Sequence, residues 1–222
     1  HHKEEKFIMK LKKIASLALA GLMAVSMLAG CGDNSSNGNG TVVEPGTSSS
    51  IVSAFNDEQN SNNDVKVTVT ADSTLSADLA KAVKEVGYRH NDESDEVAEQ
   101  LYKLNGVEQG VASNVASAFA AKNNTTDGKS VTKLFVVYVG SNNAWTEEAA
   151  VMSFAKAFDE HVAAKLPETS YEKGNTQVGG KYYDYSYTGT VAMTSVKSGE
   201  GNTEYYAAFT VTQTAAEKKL EA

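Results

Sequence analysis

Cysteine is all but missing: the 222-residue chain has one, Cys31, so no disulfide can form within it and the fold must be held by its core. Long apolar runs are as scarce, with a single stretch from Ile14 to Ala29, which excludes a multi-span membrane protein. Glycine, at 17 residues, is far below the roughly one-third of a collagen-like polymer. Basic charge is short too, with 20 Lys and Arg against 28 Asp and Glu, net −8. Catalytic signatures are absent: there is no G-x-S-x-G and no H-E-x-x-H, and beyond residue 31 only two imidazoles remain, His90 and His161. What is there, 41% apolar and 22% charged residues, fits one ordinary globular domain.

The segment from Met9 to Cys31 places Lys10, Lys12 and Lys13 before the 16-residue apolar stretch Ile14 to Ala29, followed by small residues. That is the pattern of a secretory signal. As a helix the stretch would be about 24 Å long, short of the roughly 30 Å of a bilayer core. Leu28-Ala29-Gly30-Cys31 resembles the lipobox of bacterial lipoproteins. The resemblance, confined to residues 9–31, implies cleavage before Cys31, acylation of its thiol, and a protein held at a membrane on the extracytoplasmic face. Two or three acyl chains suffice for that where one is marginal. The Lys-rich signal and the scarcity of cysteine look like those of Gram-positive bacteria. Residues 1–8 put Glu4 and Glu5 ahead of a start that should be basic, and are expected to be a non-native upstream extension.

Removing residues 1–30 takes away five Lys and two Glu, leaving 15 basic and 26 acidic residues, net −11. Such a surface repels phosphate backbones and anionic headgroups, so no nucleic-acid partner is expected beside the membrane anchor at Cys31. Residues 31–64, the anchoring Cys31 and then an Asn-, Ser- and Gly-rich run, read as a flexible tether with a reach of about 30 Å. Within it the apolar island Ile51, Val52, Ala54, Phe55 is taken as a sticky spot rather than a docked helix.

A single globular domain is expected over residues 65–222, a size that needs no metal or other staple. Val65–Thr70 alternates with period two and reads as a strand. Leu75, Leu79, Val83 and Val86 follow at helical spacing, with Ser76 as N-cap and Gly87 as stop. Val97, Leu101 and Leu104 give a second helix ending at Asn105-Gly106, and Val107, Val111, Val115, Ala118 and Phe119 a third. Val131–Val139 is apolar on both faces after Lys133 and reads as a central strand. A long helix runs from about Thr146 to Leu166. Lys181–Lys197 and Thr203–Thr214 form a hairpin, whose three-residue loop with Gly201 left-handed sets Val191 opposite Phe209 and Met193 opposite Ala207. The fold expected is α+β in the order β-α-α-α-β-α-β-β, a largely antiparallel sheet packed by helices and ending in a β-hairpin.

Several chemical constellations are present but cheap. Ser130/Lys133, Ser141/Asn143 and Lys197/Ser198/Gly199 follow the order Ser-x-x-Lys, Ser-x-Asn, Lys-Ser-Gly of penicillin-binding enzymes. Yet Ser-x-x-Lys recurs at Ser153/Lys156 and Ser170/Lys173, and Ser130 leads into a strand instead of a helix. His161 lies beside an apolar helical stripe, and His90 opens the acidic run ending at Glu96, which suits helix capping better than a metal. Gly174–Lys181 misses the phosphate-loop spacing by one place. No cofactor or metal site is expected, and catalytic residues stay unassigned.

Tyrosine is the feature with direction. Seven of the ten Tyr fall between Tyr171 and Tyr206, with Tyr183, Tyr185 and Tyr187 on one strand face and Tyr182 opposite. Large contact area, a hydroxyl and little rotamer entropy suit recognition, although cross-strand packing uses the same residues. The expectation is a lipid-anchored binding module that takes a glycan, peptide or envelope protein on Tyr182, Tyr183, Tyr185, Tyr187, Tyr205 and Tyr206. An envelope hydrolase and an accessory structural lipoprotein are the alternatives.

Overall fold

The structure is a computed structural model that describes residues 42–44, 48–110, 119, 124–140, 146–172, 174 and 177–222. The signal segment and Cys31 lie outside the described residues, as do Trp145, Ser141, Asn143 and positions 111–118 of the expected third helix. Among the described residues no helix is long and apolar enough to cross a membrane.

Two 17-residue strands, β4 (Lys181–Lys197) and β5 (Thr203–Lys219), form the spine of a mixed, mostly antiparallel sheet. Their register is the expected one, Val191 against Phe209 and Met193 against Ala207. The turn closes through Ser198 N–H to Asn202 O at 2.9 Å and Gly201 N–H to Ser198 O at 3.0 Å, with Gly201 at φ 85°. A side chain with a Cβ is disfavoured at that dihedral, which is why glycine pins the register there. β3 (Ser130–Val139) pairs with β5, while the outer edge of β4 is covered piecewise. β1 (Val42–Glu44) pairs antiparallel at 195–197, β2 (Thr68–Ala71) parallel at 188–191, and residues 168–170 bond residues 183–185. β3 is therefore an edge strand, not the central one. Two of its residues are buried, Leu134 in one core and Phe135 in the other, while Ser130 and Thr132 are exposed.

Side chains alternate between two cores. Phe135, Val191, Met193, Ala207, Phe209 and Val211 face one, with α1 (Ser48–Asp57) and α4 (Glu147–His161) packed over them. Leu134, Ala192, Val196, Tyr206 and Ala208 face the other, under α2 (Ser73–Val86) and α3 (Ser94–Asn105). α2 is capped by Asp72, four residues ahead of the Ser76 expected, its carboxylate accepting from the Thr74 and Leu75 N–H groups. Gly87 and Gly106 end α2 and α3 as expected, at φ 78° and 70°. Residues 107–110 are extended instead of helical, bonding the edge of β3 through Leu134. α4 stops at His161 and a short 3₁₀ turn, Ala163–Lys165, follows.

The apolar island in the expected tether is a helix of the domain. In α1, Ile51 and Phe55 are fully buried, and the Phe55 ring stacks on Phe158 at 4.7 Å. The polar residues that made this stretch look like a linker cap the free edge of β2. Asn56 exchanges two bonds with the Val69 backbone at 2.8 and 2.9 Å, and Gln59 two with Val67 at 2.8 Å each. Side-chain amides take the place of a neighbouring strand, which satisfies and protects an edge. Asp159 of α4 then holds Asn60 and Asn63 at 3.0 and 2.7 Å. The domain thus reaches upstream of residue 65.

Candidate functional site

The helices α2 and α3 cover only half of their face of the sheet. From Val191 to Val196, β4 is buried on both sides, but from Tyr185 to Thr190 burial alternates residue by residue. β5 changes in the same way at Thr210. Beyond that line no described helix covers the face, and Thr-x-Thr or Ser-x-Thr segments on four adjacent strands stand in register. Thr70, Thr190 and Thr210 form one row, ending on Leu134. Thr68, Thr188, Thr212 and Thr132 form the next, and Ser186, Thr214 and Ser130 the third. The spacings of a β-sheet, about 4.8 Å between strands and about 6.7 Å between alternate residues, make this a hydroxyl grid of about 14 by 13 Å.

No charged side chain falls within the three rows. Hydroxyl pairs hold the β5 members in place: Thr190 with Thr210 at 2.6 Å, Thr132 with Thr212 at 2.7 Å, Ser130 with Thr214 at 2.8 Å. Among the described residues Thr68, Thr188 and Ser186 are exposed and their hydroxyls make no hydrogen bond within the protein. Threonine's branched Cβ restricts χ1, so a strand-borne Thr loses little rotamer freedom when it meets a ligand.

The tyrosines divide between core and surface. Tyr185 and Tyr187 are buried, and Tyr183 packs against the same core. β5 does not end at the expected Thr214 but runs to Lys219, pairing Tyr183 with Glu217 and Tyr185 with Ala215, so the expected placing of these two on a binding surface is corrected. Their hydroxyls tie loops to the sheet. Tyr187 donates to Pro167 O at 2.6 Å and accepts from Gln213 Nε2 at 2.8 Å, while Tyr185 donates to Asn124 O at 3.2 Å. Burial raises both phenols above their ordinary range. Tyr206 is fully buried in the opposite core, and Tyr205 is partly buried against the first, on the face away from the hydroxyl grid. Tyr182 is different. It lies on the open face, as its parity predicts, partly buried, with Tyr171 edge-on at 5.5 Å.

The catalytic candidates do not assemble. Ser130 Oγ is on the hydroxyl grid, whereas Lys133 three residues on points to the other face and pairs with Glu108. Ser198 is spent in the turn, accepting from Glu200 and Asn202 at 3.2 Å. His161 and Asp95 both line a cleft of about 390 Å³, but Asp95 accepts from Gln109 at 3.1 Å and no described hydrogen bond joins the two. In the acidic run Asp92 accepts from Ser94 N–H at 2.9 Å, a turn leading into α3. Among the described residues no three His, Cys, Asp or Glu side chains form a metal-binding group.

One buried carboxylate escaped the sequence. Glu204 is fully buried, although its place in a strand gives no sign of it. Its Oε1 accepts from Tyr138 Oη at 3.1 Å, and neither its Oε2 nor the Tyr206 hydroxyl has a hydrogen-bond partner. Above it lies the loop with His90 at φ 60°, whose Nδ1 is 3.0 Å from Tyr88 Oη. The His90 ring is exposed while the carboxylate is sealed, so the two do not share a cleft. Burial raises the Glu204 pKa above its ordinary 4.5, against the opposing effect of Tyr138 and the backbone N–H groups of Arg89 and His90. The stability it contributes is complete below about 4.5 and is lost as pH rises through the folded-state value. Glu204→Gln should therefore melt several degrees higher than the parent at pH 8, from a gain of roughly 1–2 kcal/mol, and coincide with it near pH 4. Thermal melts across that range check it; a variant less stable at pH 8 would contradict it.

Compared with known proteins, the chain matches no family model, no curated protein and no solved structure.

Proposed function

We propose that this is a lipid-anchored extracytoplasmic binding module, tethered through Cys31 at the surface of a Gram-positive membrane, that meets an uncharged, hydroxyl-rich polymer of the cell envelope on its open sheet face. The observation behind it is the register of the grid: Thr68, Thr188, Thr212 and Thr132 stand in one row across four strands, between rows whose paired members are all uncharged. A sheet face exposed only to water needs polar side chains but no particular ones. Threonine is favoured by strand geometry alone, so the support lies in the absence of the lysine and glutamate that guard an exposed sheet against association. This chain uses charge freely elsewhere, at net −8, yet keeps it out of these rows. The address comes from the lipobox resemblance, and the acidic surface fits a protein that does not adsorb to anionic headgroups.

Thr188→Lys and Thr68→Lys test it. Both hydroxyls are exposed and without an internal partner, so each change should move stability by no more than about 0.5 kcal/mol. Co-sedimentation with purified cell-wall polysaccharide should fall at least tenfold in the double variant while the melting temperature holds. Undiminished sedimentation would remove the face from the function.

A further inference from the structure

Resting on that recognition surface, we infer that its occupant is a neutral β-linked glycan, an extended ribbon of sugars with largely equatorial hydroxyls, and that one ring stacks on Tyr182. Charge narrows the field first. A chain with 28 acidic residues and no cation within the three rows repels anionic polymers, and the cations nearest the rows, Lys66 and Lys218, stand at their margin. A protein partner is disfavoured for a second reason. Protein interfaces rest on aromatic or arginine anchors seated in a central dry pocket, and the centre of this face is a flat row of threonines.

Shape and chemistry then agree. Each threonine presents a methyl and a hydroxyl side by side, so the grid alternates apolar and polar points at the spacings of the sheet. An extended β-linked chain has the same character: flat ring faces of C–H bonds, edges lined with hydroxyls. A helical α-linked chain cannot lay successive rings on a flat surface. The free hydroxyls of Thr68, Thr188 and Ser186 can both donate and accept.

Tyr182 sits on the same face as Ser186, two alternate positions further along β4. Tyr171 braces it edge-on, the rings at 65°, and is itself 36% exposed. A phenol held in one plane beside a hydroxyl array is a stacking platform for a sugar ring. Opposite it on β5 stands Lys218, with Asp184 in the row between, and these supply polar contacts at the rim.

Native affinity electrophoresis of the full chain in detergent, through gels containing mixed-linkage β-glucan, xylan, amylose or polygalacturonate, is the test. Retardation by β-glucan or xylan and not by amylose or polygalacturonate is expected, lost at least tenfold in Tyr182→Ala and kept in Tyr182→Phe. Equal retardation by amylose, or an unaltered Tyr182→Ala, overturns the linkage and stacking claim. Retardation still sensitive to Thr188→Lys would then leave the recognition surface standing. No retardation by any neutral polymer overturns both.

Discussion

Cut to begin at residue 65, the chain is expected to melt more than about 10 °C below one beginning at residue 42, or to lose its cooperative transition altogether. The cut removes α1 and with it Ile51 and Phe55, each fully buried. Burying a side chain of that size contributes about 1.5–3 kcal/mol. Phe55 also stacks on Phe158 at 4.7 Å and meets Phe209 edge-on at 5.5 Å, so its loss leaves a void between α4 and the sheet. The backbone of β2 at Val67 and Val69 loses the amides of Gln59 and Asn56 at the same time. Against a total stability of about 5–15 kcal/mol for an ordinary domain, these losses take a large share. Calorimetry of the two chains decides it. Equal midpoints would mean that α1 is a passenger and that the domain starts where the composition changes.

Tyr187→Ala is the second large effect, a loss of about 3–5 kcal/mol in urea denaturation. The side chain is buried between the sheet and Phe119, whose ring meets it edge-on at 6.1 Å. Tyr187→Phe separates the ring from the hydroxyl. It keeps the packing but leaves Gln213 Nε2 and Pro167 O short of a partner, at a cost of about 1–2 kcal/mol. A Tyr187→Ala protein of nearly parental stability with impaired ligand binding would instead place this residue on a recognition surface.

The hairpin register was legible because one offset alone brings Val191 to Phe209 and Met193 to Ala207, and Gly201 supplies the turn. The burial of Leu134 and Phe135 on opposite faces of β3 was legible from its apolar run, but its edge position was not. Helices can cover both faces of an edge strand, and residues 108–110, which bond its outer side at Leu134, have no strand pattern of their own. α1 was hidden by composition. Ile51, Ala54 and Phe55 have helical spacing over a single turn, among Asn, Ser and Asp that suit a linker equally well. What orders the segment is tertiary, the Phe55 stack and the amide bonds to β2.

For the site, period two placed Tyr182 opposite Tyr183, Tyr185 and Tyr187, and the structure agrees. It could not say which face was inside. Tyrosine and threonine are both tolerated on either side of a sheet, and the choice turned on β5 continuing through Glu217, Lys218 and Lys219, residues with weak strand preference. The threonines were visible in the sequence as Thr-x-Thr segments. Their meaning depends on four separate strands arriving in one register, which no single segment encodes.

The most direct measurement is methyl NMR of the protein labelled at threonine, titrated with soluble cell-wall polysaccharide. Shifts at Thr68, Thr132, Thr188 and Thr212, the central row of the grid, with the threonine methyls outside the grid still, are the result expected. Saturable binding that leaves those four unmoved would contradict the assignment of the open face as the recognition surface.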